Sequence, residues 1–214
     1  MEENKMIDFY TWGTPNGRKV SILLEELKLD YQVVPIDISN KEQFTANFLT
    51  ISPNNKIPAI FDHDTGISLM ESGAIMIYLA EKSNQLLPKD LEKRIKVIEW
   101  LMWQKAGFGP MLGQAHHFLH YNKGKAPYAE ERYRAEAKRL YSVLEKHLSK
   151  SPFIAEEYSI ADIAIWPWVS RYEWQEINLS EFPNIRSWYK KILAREPVQK
   201  GYNIPAQLSD IPVG

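Results

Sequence analysis

Three short stretches carry residues able to do chemistry. In Gly13–Thr14–Pro15–Asn16–Gly17 a hydroxyl and an amide flank a proline, between an apolar strand pattern and an apolar helix pattern. That is the C-terminal end of a strand, the edge that ligands favour in α/β sheets. A hydroxyl, an amide and helix-end N–H groups there could hold a thiolate by hydrogen bonding and by the helix dipole. The same residues also suit a plain helix cap, with Asn16 serving the backbone. At Ile57-Pro58 a proline opens an apolar run, where it removes a backbone donor. Such a proline belongs at a strand start, an edge or a bulge. Two readings stay open: a trans proline starting a strand, or a cis bond that offers the N–H and C=O of Ile57 to an extended peptide. In Met70–Glu71–Ser72 an acid and a serine stand at a helix entrance. Ser72 could cap the helix while the helix end receives a carboxylate and Glu71 receives an ammonium, together an α-amino-acid head. An ordinary capped helix is the other reading.

The elements that must position these residues follow from periodicity. Alternating residues predict strands over 6–10 and 31–38, and two more in "IPAIFDHD" and "GISLME", split by a turn at "DHDTG". Apolar spacing predicts helices in "RKVSILLEELKLD", "KEQFTANFLTIS" and "SGAIMIYLAEKSN". The order is β-α-β-α-β-β-α, with a parallel first pair and a terminal hairpin: a mixed sheet of the thioredoxin type. Beyond "QLLPKD" strand signals stop, and helices are expected in "LEKRIKVIEWLMWQKAG", "APYAEERYRAEAKRLYSVLEKHLSK", "SIADIAIWPWVSRYEWQEI" and "FPNIRSWYKKILAREP". The switch near residue 86 predicts two domains, 6–86 and 90–214.

Composition narrows the function. The formal net charge is -1, so no basic surplus points to nucleic acid or an anionic membrane. No apolar run is long enough to span a bilayer, and "MEENKMIDFY" does not resemble an export signal, so the cytoplasm is the expected location. The chain has no cysteine. A disulfide framework, a thiolate metal site and a protein thiol nucleophile are therefore excluded. Thiol chemistry here must use a sulfur that a ligand brings.

Taken together, the three stretches ask for a thiolate, a peptide backbone and an amino-acid head, the parts of γ-Glu-Cys-Gly, glutathione. The blocks "TPNGRKVSILLEE", "FLTISPNNKIPAI", "ESGAIMIYLAEK", "GPMLGQAHHF" and "YSIADIAIWPWV" resemble the glutathione transferases over essentially the whole chain. The resemblance is closest to the bacterial Nu class, which reduces disulfides with glutathione and is related to a yeast nitrogen-regulator prion domain. It implies a thioredoxin-like domain followed by an all-helical one, and a homodimer. It also implies that Thr14 and Asn16 address the glutathione sulfur, and that Gln43 and Lys56 lie along its glycine end. Ile57, ahead of Pro58, pairs with its backbone, Glu71 and Ser72 hold the γ-glutamyl head, and Arg132 reaches the site from the partner subunit.

Ser159 and Asp162 fit a Ser-x-x-Asp capping box, assigned to folding. Tyr10 lies near the position of the tyrosine thiol activator of other classes, but it ends the strand ahead of the "TPN" loop and is assigned to packing. "HHFLH" invites a metal reading, yet no supporting ligand stands nearby, so no metal is expected. His116 and His117 are instead expected to line an acceptor pocket with Trp12, Phe108 and Met111. The expected function is glutathione-dependent disulfide reduction. The alternatives are conjugation of glutathione to small hydrophobic electrophiles and a non-catalytic glutathione-binding regulator.

Overall fold

Strand β1 (Ile7–Thr11) buries residues 7, 9 and 11 and half-buries 8 and 10, the two-residue period of a strand with one face on a core. The computed structural model describes residues 7–214. Met6, where the first strand and first domain were expected to begin, lies outside them. Helix α1 (Pro15–Leu27) follows, with Val20, Ile22, Leu23, Leu24 and Leu27 buried, and ends at Lys28 in a left-handed conformation. Then come β2 (Tyr31–Pro35), a 3-10 turn (Glu42–Phe44), α2 (Ala46–Ile51), β3 (Ala59–Asp62), β4 (Ile67–Met70) and α3 (Ser72–Ser83). The sheet order is β2-β1-β3-β4, with β1 parallel to β2 and antiparallel to β3, and β3 antiparallel to β4. This is the expected mixed four-stranded sheet. Strand two is shorter than expected: β2 stops at Pro35, and its last bond to β1 runs from Ile36 N to Thr11 O at 2.9 Å.

The helical half comprises α4 (Leu91–Trp103), α5 (Gly109–Ala115), α6 (Pro127–Leu148), α7 (Ile160–Val169) and α8 (Pro183–Leu193), with α9 (Glu196–Tyr202) after it. Two π-helical segments, Gln104–Phe108 and His116–Tyr121, flank α5. Sequence periodicity did not reveal them. Their one legible signal is Gly109-Pro110, where the missing proline N–H withdraws a bond from the preceding turn. The helix expected over 159–177 ends at Val169. Ser170 Oγ there turns back to Pro167 O at 2.8 Å, and a separate 3-10 turn (Tyr172–Gln175) follows.

Contacts divide the chain into two compact units, one reaching to Gln85 and including Arg195–Ile211, the other Leu86–Ala194 with Pro212–Gly214. Residues 195–211 therefore leave the helical domain expected over 90–214. The reason is a clamp of α9 on α1. Ser21 Oγ donates to Gly201 O at 2.6 Å, and Arg18 Nε donates to Tyr202 O at 3.0 Å. The Arg18 guanidinium lies 3.5 Å over the Tyr202 ring. Arg195 grips Glu26 through two bonds of 2.6 and 2.7 Å, a bidentate pair with planar specificity.

Candidate functional site

Strand register brings the three sequence stretches to one end of the sheet. Tyr10 pairs with Ala59, and Ala59 with Met70. Residues following β1, preceding β3 and following β4 therefore all leave the sheet on the same side. Thr11 pairs with Pro35, so the segment leading to Gln43 leaves there too.

At the first exit, Thr14 is the cap of α1, in extended backbone, and its Oγ1 accepts from Gly17 N at 3.1 Å. The capping role falls to Thr14, not Asn16. With its oxygen engaged as acceptor, the hydroxyl keeps its proton for a ligand. Pro15 has no N–H, Gly17 N serves Thr14, and Arg18 N serves Thr14 O at 2.9 Å. The Asn16 N–H is thus the first-turn donor left over, and the half-buried Asn16 amide makes no hydrogen bond among the described residues. Thr14 O–H, Asn16 N–H and the Asn16 amide form a donor set at a positive helix end. Gly17 is required for this geometry: a Cβ there would stand 2.2 Å from Trp12 O and 2.5 Å from Thr11 Oγ1.

The Ile57-Pro58 bond is cis. Strand β3 begins at Ala59, so Ile57 lies outside the ladder, with its side chain against Ile36, Phe48 and Ala59. Tyr10 and Ile51 pack on that same cluster. Burial, and then the Asp8 charge, push the Tyr10 phenol up, so it stays protonated and acts in packing.

At the third exit, the structure corrects one assignment. Glu71, not Ser72, is the cap residue of α3, and no side chain caps the helix. Ser72 is the first helical residue and is buried. The start of α3 carries the positive end of the helix dipole, the kind of place where anions bind. Glu71 holds φ 70 and ψ 109. A non-glycine residue in that region costs about 1–3 kcal/mol and is concentrated at ligand clamps. Gln43 carries a buried Oε1 without a partner among the described residues. Lys56 is exposed, while its carbonyl accepts from Ser52 Oγ at 2.8 Å.

In the second unit, Arg132 is exposed on α6, in a groove of about 490 Å³ lined also by Tyr128, Glu131, Ala135, Glu136 and Arg139. Two residues expected in an acceptor pocket are core residues instead. Phe108 is fully buried between Trp103 and Tyr141, at ring distances of 4.9 and 5.8 Å. His116 is buried, stacks on Trp168 at 5.6 Å, and meets Gln175 Nε2 at 3.0 Å. Burial, then the nearby Arg171 charge, lower its pKa to about 3, so it is a neutral packing group. Met111 is half-buried, and His117 is exposed with its ring edge-to-face on Phe118. His120 stacks on Trp174 at 4.3 Å. Trp12 is half-buried in the first unit, its carbonyl accepting from Thr14 N at 2.7 Å.

A mixed four-stranded sheet with a cis proline at the end where α1 and α3 begin, followed by a helical unit, defines a thioredoxin-like protein of two units. Residues 5–81 match the family described as "Glutathione S-transferase, N-terminal domain" and residues 103–196 match "Glutathione S-transferase, C-terminal domain". The chain belongs to the glutathione S-transferase family. It is 49% identical over 211 residues to the disulfide-bond oxidoreductase YfcG of Escherichia coli, covering 96% of this chain and 98% of that protein. Its structure resembles a Pseudomonas putida glutathione transferase solved with one glutathione disulfide per subunit, at TM-score 0.90 and 42% identity, over 96% of this chain and 94% of that one. A Pseudomonas fluorescens family member solved with two glutathiones bound matches at TM-score 0.89 and 42% identity, covering 96% of both chains.

Proposed function

We propose that this protein is a glutathione-dependent disulfide reductase, in which Thr14 and Asn16 hold the glutathione thiolate and no protein sulfur takes part. The observation that carries the reading is the open start of α1. Its threonine hydroxyl keeps a proton to give, its asparagine amide is uncommitted, and the chain has no cysteine. Lowering the thiol pKa there raises the fraction of nucleophile at neutral pH. The thiolate attacks one sulfur of the substrate disulfide, forming a mixed disulfide and expelling the other sulfur as thiolate. A second glutathione thiolate attacks the mixed disulfide, giving glutathione disulfide and the second reduced thiol. Two electrons leave two glutathiones, and their two thiol protons pass to the two leaving thiolates. The relative named as a disulfide-bond oxidoreductase and the neighbour holding glutathione disulfide support this chemistry.

In this reading the Ile57 backbone beside Pro58 pairs with the tripeptide, and Glu71, Ser72 and the positive helix end of α3 take the γ-glutamyl head. Gln43 and Lys56 serve the glycine end. Arg132 comes from a second copy, in a homodimer. The exposed apolar stripe of Leu91, Ile95 and Met102 on α4 supports self-association, and sedimentation at micromolar concentration tests it. A cytoplasmic pool of reduced glutathione supplies the electrons. Among the described residues no helix is long and apolar enough to cross a membrane.

Turnover of hydroxyethyl disulfide coupled to glutathione reductase, beside conjugation of an aromatic chloride, tests the reading. Fast reduction with slow conjugation is expected. The reverse ratio, or tight glutathione binding with no turnover, overturns it.

A further inference from the structure

The segment after α9 returns to the loop that carries the thiol donors. An ideal Cβ on Gly13 would lie 2.5 Å from Leu208 Cδ1, 3.4 Å from Cγ and 3.8 Å from Cβ. The Cδ1 end of the leucine therefore packs against Gly13, one residue before Thr14. Leu208 nevertheless remains 48% exposed, so much of its side chain stays an accessible apolar surface next to the loop that carries the donors. The segment that carries it is tied to the end of α9. At its start Ile204 N donates to Gly201 O at 3.4 Å, and Asn203 Nδ2 donates to Gln199 O at 3.2 Å.

We infer that Leu208 is a specificity-determining residue, the apolar wall that meets whatever group is bonded to the glutathione sulfur. The inference rests on the proposed placement of that sulfur at Thr14 and Asn16. Its substrate consequence is a preference for acceptors with an apolar group next to the reacting sulfur. Gly13 is part of the device. Its φ lies outside the left-handed range, so the backbone does not require glycine there. The leucine does. A methyl at position 13 displaces the far end of a flexible side chain, with no backbone clash within 4 Å.

Two substitutions therefore remove the same wall from opposite sides: Leu208→Ala deletes it and Gly13→Ala pushes it aside. The readout is calorimetric affinity for S-benzylglutathione relative to S-methylglutathione, which needs no turnover. Both variants are expected to lower that ratio about fourfold, the worth of roughly one buried methylene. In the coupled assay the same preference should fall for an aromatic disulfide relative to hydroxyethyl disulfide. An unchanged ratio in both variants overturns the inference. If one variant does not fold, the other decides alone. A lowered affinity ratio in a protein that reduces no disulfide upholds the wall and rejects the reductase reading, so the two failures are distinct.

Discussion

Two helix starts in this molecule receive opposite treatment. At α7 everything is closed. The Asp162 carboxylate accepts from Ile154 N at 2.9 Å, Ser159 N at 3.0 Å, Ser159 Oγ at 3.2 Å and Trp188 Nε1 at 2.9 Å, and the Ser159 hydroxyl caps the first turn. At α1 the cap is partial: Thr14 takes one N–H, Pro15 offers none, and Asn16 keeps its donors unspent. Under the proposed function, the difference separates groups spent on holding the fold from groups held ready for a ligand. A buried start left open costs stability unless something fills it. An anion that fills it gains from the same donors and the helix dipole.

The largest expected effect comes from breaking the closed end. Asp162→Ala strands three buried N–H donors at about 1–3 kcal/mol each, so a stability loss on the order of 4 kcal/mol is expected in urea melts. A loss below about 1 kcal/mol would show that the box is ornamental. Breaking the open end should do the converse. Asn16→Ala is expected to lower disulfide turnover on the order of a hundredfold, the worth of one donor at a developing or resident anion. Its melting temperature should stay close to that of the parent protein. If Asn16→Ala melts much earlier, or turns over at full rate, the contrast between the two ends collapses.

The two ends were not equally legible in the sequence. Ser159-x-x-Asp162 is a local pattern whose partners lie within one turn, and the structure contains the box. The site at the sheet end was legible as residue types, because loops that follow β1 and β4 and precede β3 must share an edge once the pairing is antiparallel. Which residue caps was less legible. Thr14 and Asn16 compete through side chains of similar reach, and at α3 the capping place fell to Glu71, whose φ of 70 no pattern announces. Long-range packing was illegible. Phe108 and His116 looked like pocket lining because aromatic and imidazole rings serve both roles, and Trp103, Tyr141 and Trp168 enclose them only in three dimensions. The return of 195–211 to the first unit rests on Arg18–Tyr202 and Arg195–Glu26, pairs far apart in the chain.

A pH series sharpens the comparison within the closed unit. Burial, opposed by the four hydrogen bonds, raises Asp162 from 3.8 to about 6. Between those values the folded state holds a proton that the unfolded chain has lost. Its contribution is therefore present at low pH and lost as pH rises through 6. His116 runs the other way. Lowered from 6.5 to about 3, it contributes above pH 6.5 and loses that contribution as pH falls. Each slope is about 1.4 kcal/mol per pH unit inside its window. From pH 6 to 4.5 the two oppose each other, so the stability of the parent protein is expected to be nearly flat. Asp162→Asn removes one slope and should lose about 2 kcal/mol across that range as pH falls. Parallel curves for parent and variant would reject the raised carboxyl.

The smallest effect isolates one half of the box. Ser159→Ala removes the hydroxyl that accepts from Ala161 N at 3.3 Å and donates to Asp162. The Ser159 backbone N–H stays on the carboxylate at 3.0 Å, as do Ile154 N and Trp188 Nε1, so most of the network survives. The expected loss is about 1 kcal/mol, the worth of a helix cap. For a protein of this length it should appear as a melting shift of about 2–4 °C with glutathione turnover retained. An unchanged melt would move the stabilisation from the capping hydroxyl entirely to the buried carboxylate. A loss as large as that of Asp162→Ala would mean instead that the hydroxyl orients the carboxylate, and that the box acts as one unit.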